Sequence, residues 1–364
     1  MKNTFGNSVS VTLFGESHGA QIGAVLDGLA PGIPVSEVYI GAKLSRRRPS
    51  GAISTRRVEP DNFKIVSGVF NGRSTGTPLC ILIPNENTKS GDYEATRALA
   101  RPGHADYTAY CKYHGFEDYR GGGHFSGRLT TPLVAAGAVA MYALEQKGIR
   151  IGTHIARCAQ IADRGYGDLE SDLAFLQDST FAVLDPEAAD KMRAAIKAAA
   201  EDGDSVGGIL ETAVTGLPAG VGEPFFDSLE SVLAHAMFSI PAVKGVEFGG
   251  GFALADRRGS QANDSFAMEN DRVVTRTNHN GGINGGITNG MPVLFRCAVK
   301  PTPSIYREQE TVNFLQGQEQ KIVIKGRHDP AIVHRAVVVA DCVTALVLCD
   351  MLTQRYGTDY LGPA

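Results

Sequence analysis

The chain has 364 residues, 43% hydrophobic and 20% charged, proportions that exclude a disordered or low-complexity protein and leave ample material for a buried core. Its formal net charge of −4 argues against a nucleic-acid binder, which is usually basic overall. The six cysteines form no C-x-x-C pair, no signal peptide is read ahead of Phe5, and no apolar run reaches the roughly 18–20 residues of a membrane span, so the expectation is a cytoplasmic protein with reduced thiols and no metal site.

Val9–Phe14 alternates and is rich in β-branched residues, which predicts a strand delivering the chain to Gly15. Similar patterns fall at Leu79–Ile83, Gly208–Thr215 and Lys321–Lys325. Pro132 stands at a first-turn position after two threonines, followed by an Ala/Val/Leu-rich run with Gly148 past its end, the punctuation of a helix. Asp185-Pro186 opens an alanine-rich helix to about Asp202. Asp227 with Glu230 predicts a capping box for a helix to about Phe238, and Arg335–Gln354 reads as the last long helix. Helices and strands mix without a strict βαβα rhythm, which predicts an α+β fold, and no linker divides the chain, which predicts one large domain over 1–364. Gly28-Leu-Ala-Pro-Gly32 and Gly216-Leu-Pro-Ala-Gly220 each follow a strand-like segment and precede a helix start, pointing to an internal pseudo-duplication.

Glycine is the compositional outlier, with 43 residues, and its clusters coincide with the chemically suggestive segments. Gly15-Glu-Ser-His-Gly19 matches the nucleophile elbow of serine hydrolases, but it follows the first strand of the chain, where no earlier strand could supply the oxyanion hole. Gly122-Gly-His-Phe-Ser-Gly127 approaches P-loop spacing, yet Arg128 and Leu129 replace the lysine and the magnesium-binding hydroxyl. What survives is a glycine turn ahead of a helix, flanked by Arg120 and Arg128, which suits an anion. Arg101-Pro-Gly-His104 places a titratable side chain after a turn, with Asp106 in the same loop. Arg46–Arg48 and Arg56–Arg57 are concentrated guanidinium groups in a mildly acidic protein, a pattern for a small anionic ligand. The Gly/Asn run Asn278–Gly286 would let a planar ligand lie against the backbone.

In this order, Phe14-Gly-Glu-Ser-His-Gly19, Arg46-Arg-Arg-Pro49, Glu59-Pro-Asp61, Arg101-Pro-Gly-His-Ala-Asp-Tyr107, Tyr119-Arg-Gly-Gly-Gly123, Ser239-Ile-Pro-Ala-Val-Lys-Gly-Val-Glu247, Lys300-Pro-Thr-Pro-Ser304 and Gly326-Arg-His-Asp-Pro330 resemble the chorismate synthase family over nearly the whole chain. The resemblance implies a β–α–β sandwich, a homotetramer, and reduced FMN bound beside 5-enolpyruvylshikimate 3-phosphate. It also implies an anti-1,4-elimination in which phosphate leaves C3 and hydrogen leaves C6 with no net redox change.

By the same resemblance His18 would protonate the departing phosphate, and His104 would protonate or neutralise the reduced flavin. Asp329, with Ser17 and Ser126, would relay a proton. His124, Phe125, Ser126, Pro241, Ala242, Gly285, Lys300, Pro301, Thr302, Pro303, Ser304 and Arg327 occupy the family's flavin-contact positions. Arg46, Arg47, Arg48, Arg128 and Arg327 are the candidates for substrate anions. The chain departs from the family pattern at His124, where many members carry arginine, and at Pro241, where many carry asparagine. Ser50–Val58 is one residue shorter than in some relatives and lacks an arginine that some carry there. Arg47 is therefore the candidate for a dinucleotide phosphate if NADPH is the reductant; the compact chain favours an external reductase.

Overall fold

The computed structural model describes residues 2–49, 51, 53–55, 60–86, 97–324, 326 and 328–363. Arg56–Arg57, Glu59, Lys325, Arg327 and most of Ser50–Val58, all singled out in the sequence, lie outside them. The N-terminal half contributes β1 (Thr4–Phe5), β2 (Ser10–Gly15), β3 (Gln21–Asp27), α1 (Glu37–Arg47), β4 (Lys64–Ser67), a small hairpin of β5 (Val69–Phe70) and β6 (Arg73–Ser74), β7 (Leu79–Pro84), α2 (Asp106–Tyr113) and α3 (Thr130–Glu145). The second half begins with β8 (Arg150–Cys158), β9 (Ile161–Ala162), α4 (Leu169–Asp178), α5 (Pro186–Glu201), β10 (Gly208–Thr215), α6 (Leu229–Met237) and β11 (Val243–Phe248). It continues through α7 (Gly259–Ala262), the hairpins β12–β13 (Phe266–Glu269, Arg272–Thr275) and β14–β15 (Ile283–Asn284, Ile287–Thr288), β16 (Val293–Val299), the hairpin β17–β18 (Gln309–Asn313, Gln318–Ile322) and α8 (Val333–Tyr356).

Among the described residues, two five-stranded antiparallel sheets form, in the orders β1-β2-β3-β7-β4 and β11-β16-β10-β8-β9. In β7 and β16 alternate residues are buried, Leu79, Ile81 and Ile83 in one and Val293, Phe295, Cys297 and Val299 in the other, the period of a strand with one face on a core. That core is helical: α3 packs on β3 and β7, α8 packs on β8 and β10, and the two helices pack on each other, so helices separate the sheets in a β–α–β sandwich. At the crossing of α3 and α8 a Cβ on Gly137 would stand 2.4 Å from Cys342 Cβ. Only glycine lets the two backbones approach this closely.

The duplication read from the two glycine repeats is visible in the topology. Strands β2-β3-β7-β4 and β8-β10-β16-β11 occur in the same spatial and chain order, with α1 and α6 after the second strand and α3 and α8 after the last. Gly28 and Gly216 each begin the turn leaving that second strand, at φ +83 and +80. A Cβ there would meet Ser8 O at 1.8 Å and Gly148 O at 2.2 Å, respectively.

Three expectations need correction. Ser228, not Asp227, caps α6 by accepting from Ser231 N, because Asp227 closes a preceding 3-10 turn and its neighbour has the extended backbone a cap requires. The strand placed at Lys321–Lys325 is Gln318–Ile322, its register set by pairing with β17 across a tight turn. Helix α8 is long and apolar enough to cross a membrane by length and composition, yet its apolar window is entirely buried inside the protein. It also carries Asp350, a buried carboxylate that accepts the backbone N–H groups of Asn7, Ser8 and Val9 at 3.0, 2.7 and 2.9 Å.

Candidate active site

Gly15 ends β2 at φ +95 and turns the chain into Glu16–Gly19. Ser17 N donates to Gly123 O at 3.0 Å, which ties this turn to Gly121–Gly123, whose φ values are 60, 81 and 52. His18 is buried with its Nδ1 3.2 Å from Ser17 Oγ. Its ring lies so close under Gly121 that a Cβ there would be 2.1 Å from His18 Cε1. His124 Nδ1 stands 2.8 Å from Gly15 O; a carbonyl can only accept, so Nδ1 carries the proton. The turn leads into antiparallel β3 and not into a helix, so the strand–turn–helix context of a hydrolase elbow is missing.

The histidine loop is folded by its own arginine. Arg101 donates from its backbone N and Nε to Asp106 Oδ2 at 2.9 and 2.8 Å and from Nη2 to Oδ1 at 2.7 Å. This fork presents His104 to Ser304, with Nε2 2.6 Å from Oγ, while Lys300 Nζ donates to Gly103 O at 2.7 Å. Burial, followed by the charge of Arg101, pushes His104 down to about 4, with Lys300 and His328 adding to the effect against Asp106. Burial alone would raise Asp106, but the hydrogen bonds and charge of Arg101 outweigh it and hold the carboxyl below its ordinary range. Arg101 and Lys300, which add to burial in keeping His104 neutral, would also attract an anion, and an anion there would favour the protonated form.

His104, Arg101, Lys300, Pro303, Tyr119 and Phe125 line a cavity of about 610 Å³, together with His124, Ser126, Pro241, Ala242 and Thr302. Arg97 stands over the Tyr119 ring, 5.2 Å from its centroid. A second cavity of about 210 Å³ shares the wall formed by Ser126, Gly127, Thr130, Pro241 and Ile332, and is otherwise lined by Arg47, Thr55, Arg128, Asp329 and Arg335 among others. Asp329 Oδ1 accepts from Thr55 N at 2.8 Å and Oδ2 accepts from Arg335 Nη1. Arg335 Nε donates to Arg47 O at 2.8 Å. Arg128 bonds Asp61 through Nη1, and Arg47 Nη2 and Arg48 Nε approach the same carboxylate at 3.4 and 3.6 Å.

The structure therefore brings most of the sequence candidates together and separates a few. Arg46 points away from its neighbours to Asp341, at 3.7 Å, and Arg120 forks onto Asp118 at 2.7 Å from both Nε and Nη2. Ser17 and His18 line neither of these cavities and are reached across Gly121; Ser304 stands behind His104. Pro301 is exposed, and Gly285 lies in the β14–β15 turn; neither lines these cavities. Sequence reasoning passed over Asp61 and Arg101 as site residues although both sit in quoted blocks. Thr55 and Arg335 carry no local signal. Among the described residues no cluster of His, Cys, Asp and Glu could hold a metal ion.

A family model described as chorismate synthase matches residues 9–353. The chain is 47% identical over 350 residues to a chorismate synthase of Pyrococcus abyssi, covering 96% of this chain and 97% of that one. It is 47% identical over 355 residues to one of Chitinophaga pinensis, covering 97% and 98%. A crystal structure of a chorismate synthase superposes with a TM-score of 0.77 at 30% identity, covering 98% of this chain and 94% of the other.

Proposed function

The chain belongs to the chorismate synthase family, and from that premise we propose that its larger cavity takes reduced FMN and its smaller one the phosphate of the substrate. The reaction of the family is the loss of phosphate from 5-enolpyruvylshikimate 3-phosphate to give chorismate, the last common step of the shikimate pathway and a carbon–oxygen lyase reaction. The observation that carries the assignment is the shared wall at Ser126 and Gly127: two adjoining cavities, one wide and aromatic, one small and arginine-lined. The residues suit a flavin. The cavity of about 610 Å³ falls within the roughly 300–1,000 Å³ of ligand sites, and a Cβ on Gly127, which lines both cavities, would meet no atom within 4 Å. When bound, reduced FMN would supply an electron-rich partner for breaking the C–O bond without net oxidation.

The chain's own residues do the rest. Arg47, Arg128 and Arg335 surround the smaller cavity with positive charge for a phosphate dianion. His18, held by Ser17 and the bare backbone of Gly121 behind the wall of the larger cavity, is the proton donor for the departing phosphate, which it meets across Gly121 and not from the lining of the smaller cavity. His104 takes up a proton when an anion neutralises Arg101 and Lys300. Asp329, fixed through both oxygens by Thr55 N and Arg335, would act with Ser126 and Ser17 as a proton relay from the flavin side; of the two serines, Ser126 lines the same cavity as Asp329. His124 stands in for the arginine of other members.

Arg47 is buried against Asp61 and faces the smaller cavity, which favours an external reductase over direct use of NADPH. The reading also carries one domain over 1–364, supported by a contiguous core that joins both halves. It includes a cytoplasmic homotetramer without nucleic-acid or membrane partners. Phe225, Phe226 and Phe252, 86, 93 and 85% exposed, are the apolar surface such an assembly would cover. The test is an anaerobic assay with the phosphate ester and chemically reduced FMN, following phosphate and chorismate together. Equimolar release of both supports the proposal; phosphate release without chorismate would overturn it.

A further inference from the structure

Three arginines converge on one carboxylate beside the smaller cavity. The Asp61 side chain has no exposed surface, and its φ of +51 places it in the left-handed region, which is strained for a residue with a side chain. Arg128 comes from the turn before α3, while Arg47 and Arg48 come from the end of α1. Only tertiary packing brings them to one carboxylate, Arg128 at Oδ1 and the other two at Oδ2. Of the three, Arg47 and Arg128 also line the smaller cavity, so the carboxylate joins two of the guanidinium groups on its wall. Without that carboxylate, Arg47 and Arg128, both buried, would lose the acceptor that joins them. Strained backbone persists where its surroundings over-determine it, and such strain clusters at functional sites.

We propose that Asp61 is a positioning residue for the phosphate: it gathers Arg47 and Arg128 on the wall of the smaller cavity and fixes the arrangement of guanidinium groups that a phosphate meets there. It acts through those arginines and does not touch substrate. The proposal rests on the assignment of that cavity to the substrate phosphate.

Inorganic phosphate, titrated calorimetrically, is the probe, with steady-state kinetics on the phosphate ester beside it. In Asp61→Asn, phosphate binding should weaken by about 10-fold or more and KM should rise in parallel, while kcat changes by less than about 3-fold, the split expected for lost ground-state binding. Asp61→Glu keeps the charge one methylene away and should recover part of the loss; if Asp61→Asn does not fold, Asp61→Glu should still bind phosphate several-fold more weakly than the wild type. Arg47→Met separates the two levels of the argument. If it loses phosphate binding while Asp61→Asn binds as tightly as the wild type, or tighter, the role of Asp61 is wrong. If Arg47→Met also binds normally, the phosphate assignment falls and the proposal with it.

Discussion

The backbone of Gly121 lies against the imidazole of His18: a Cβ there would come within 2.1 Å of Cε1 and 2.2 Å of Nδ1. The glycine is held at φ +60, so both the conformation and the contact exclude a side chain. The position of the proposed acid is thus set by an absent methyl group on a loop more than a hundred residues downstream.

Gly121→Ala should therefore behave like a partial loss of His18. His18→Ala is expected to cost roughly 10²–10⁴-fold in turnover, the usual range for a positioned acid, and Gly121→Ala at least about 10-fold, with phosphate binding changed far less. Near-normal turnover in His18→Ala would remove the histidine from the mechanism.

Oxidised FMN should bind weakly alone and much more tightly with the phosphate ester present. The two cavities share a wall, and each ligand completes the other's surroundings, so the coupling is reciprocal. Fluorescence titration of FMN with and without substrate measures it; equal affinities would contradict side-by-side binding.

Thermal stability should fall on both sides of a maximum near pH 6.5. Burial, the largest cause in each case, pushes His104 and His334 down to about 4 from 6.5. The unfolded chain therefore takes up protons first, and stability is lost as the pH falls from 6.5 towards about 4. His154 has the opposite sign. Burial would lower it, but hydrogen bonds to Asp163 and Glu211 prevail and raise it, so its contribution is complete below 6.5 and is lost as the pH rises through its folded value. In melting curves against pH, His334→Gln should flatten the acid limb and His154→Gln the alkaline limb. An unchanged alkaline slope in His154→Gln would show that this histidine is not charged.

Asp350→Ala should destabilise the fold without altering the chemistry. It removes the acceptor shared by three backbone N–H groups, of which that of Val9 is buried, and a stranded buried donor costs about 1–3 kcal/mol, so a loss of about that size is expected in denaturant unfolding. Along α8 Asp350 is roughly 20 Å from Arg335, so kcat at low temperature should stay near that of the wild type. A comparable fall in kcat at a temperature where the variant is folded would contradict this separation.

Local pattern was enough to determine the strand at Gly208–Thr215, the helix opened by Asp185-Pro186, the paired glycine turns at Gly28 and Gly216, and the ordered blocks that carry the family resemblance. These depend on periods of two and 3.6 residues and on backbone angles that only particular residues adopt, all legible within a few positions. The choice of Ser228 over Asp227 as a cap was not, because one residue of phase is decided by where the preceding turn closes. Nor could sequence divide Arg46, Arg47 and Arg48. Successive residues at a helix end point about 100° apart, so one arginine meets Asp341 on α8 while two meet Asp61, and only the packing of α1 against its neighbours determines which. His104 with Ser304, and Arg335 with Asp329 and the Arg47 carbonyl, belong to the same class. Their partners are joined by the folding of the two halves, a relation between distant segments that no local spacing encodes.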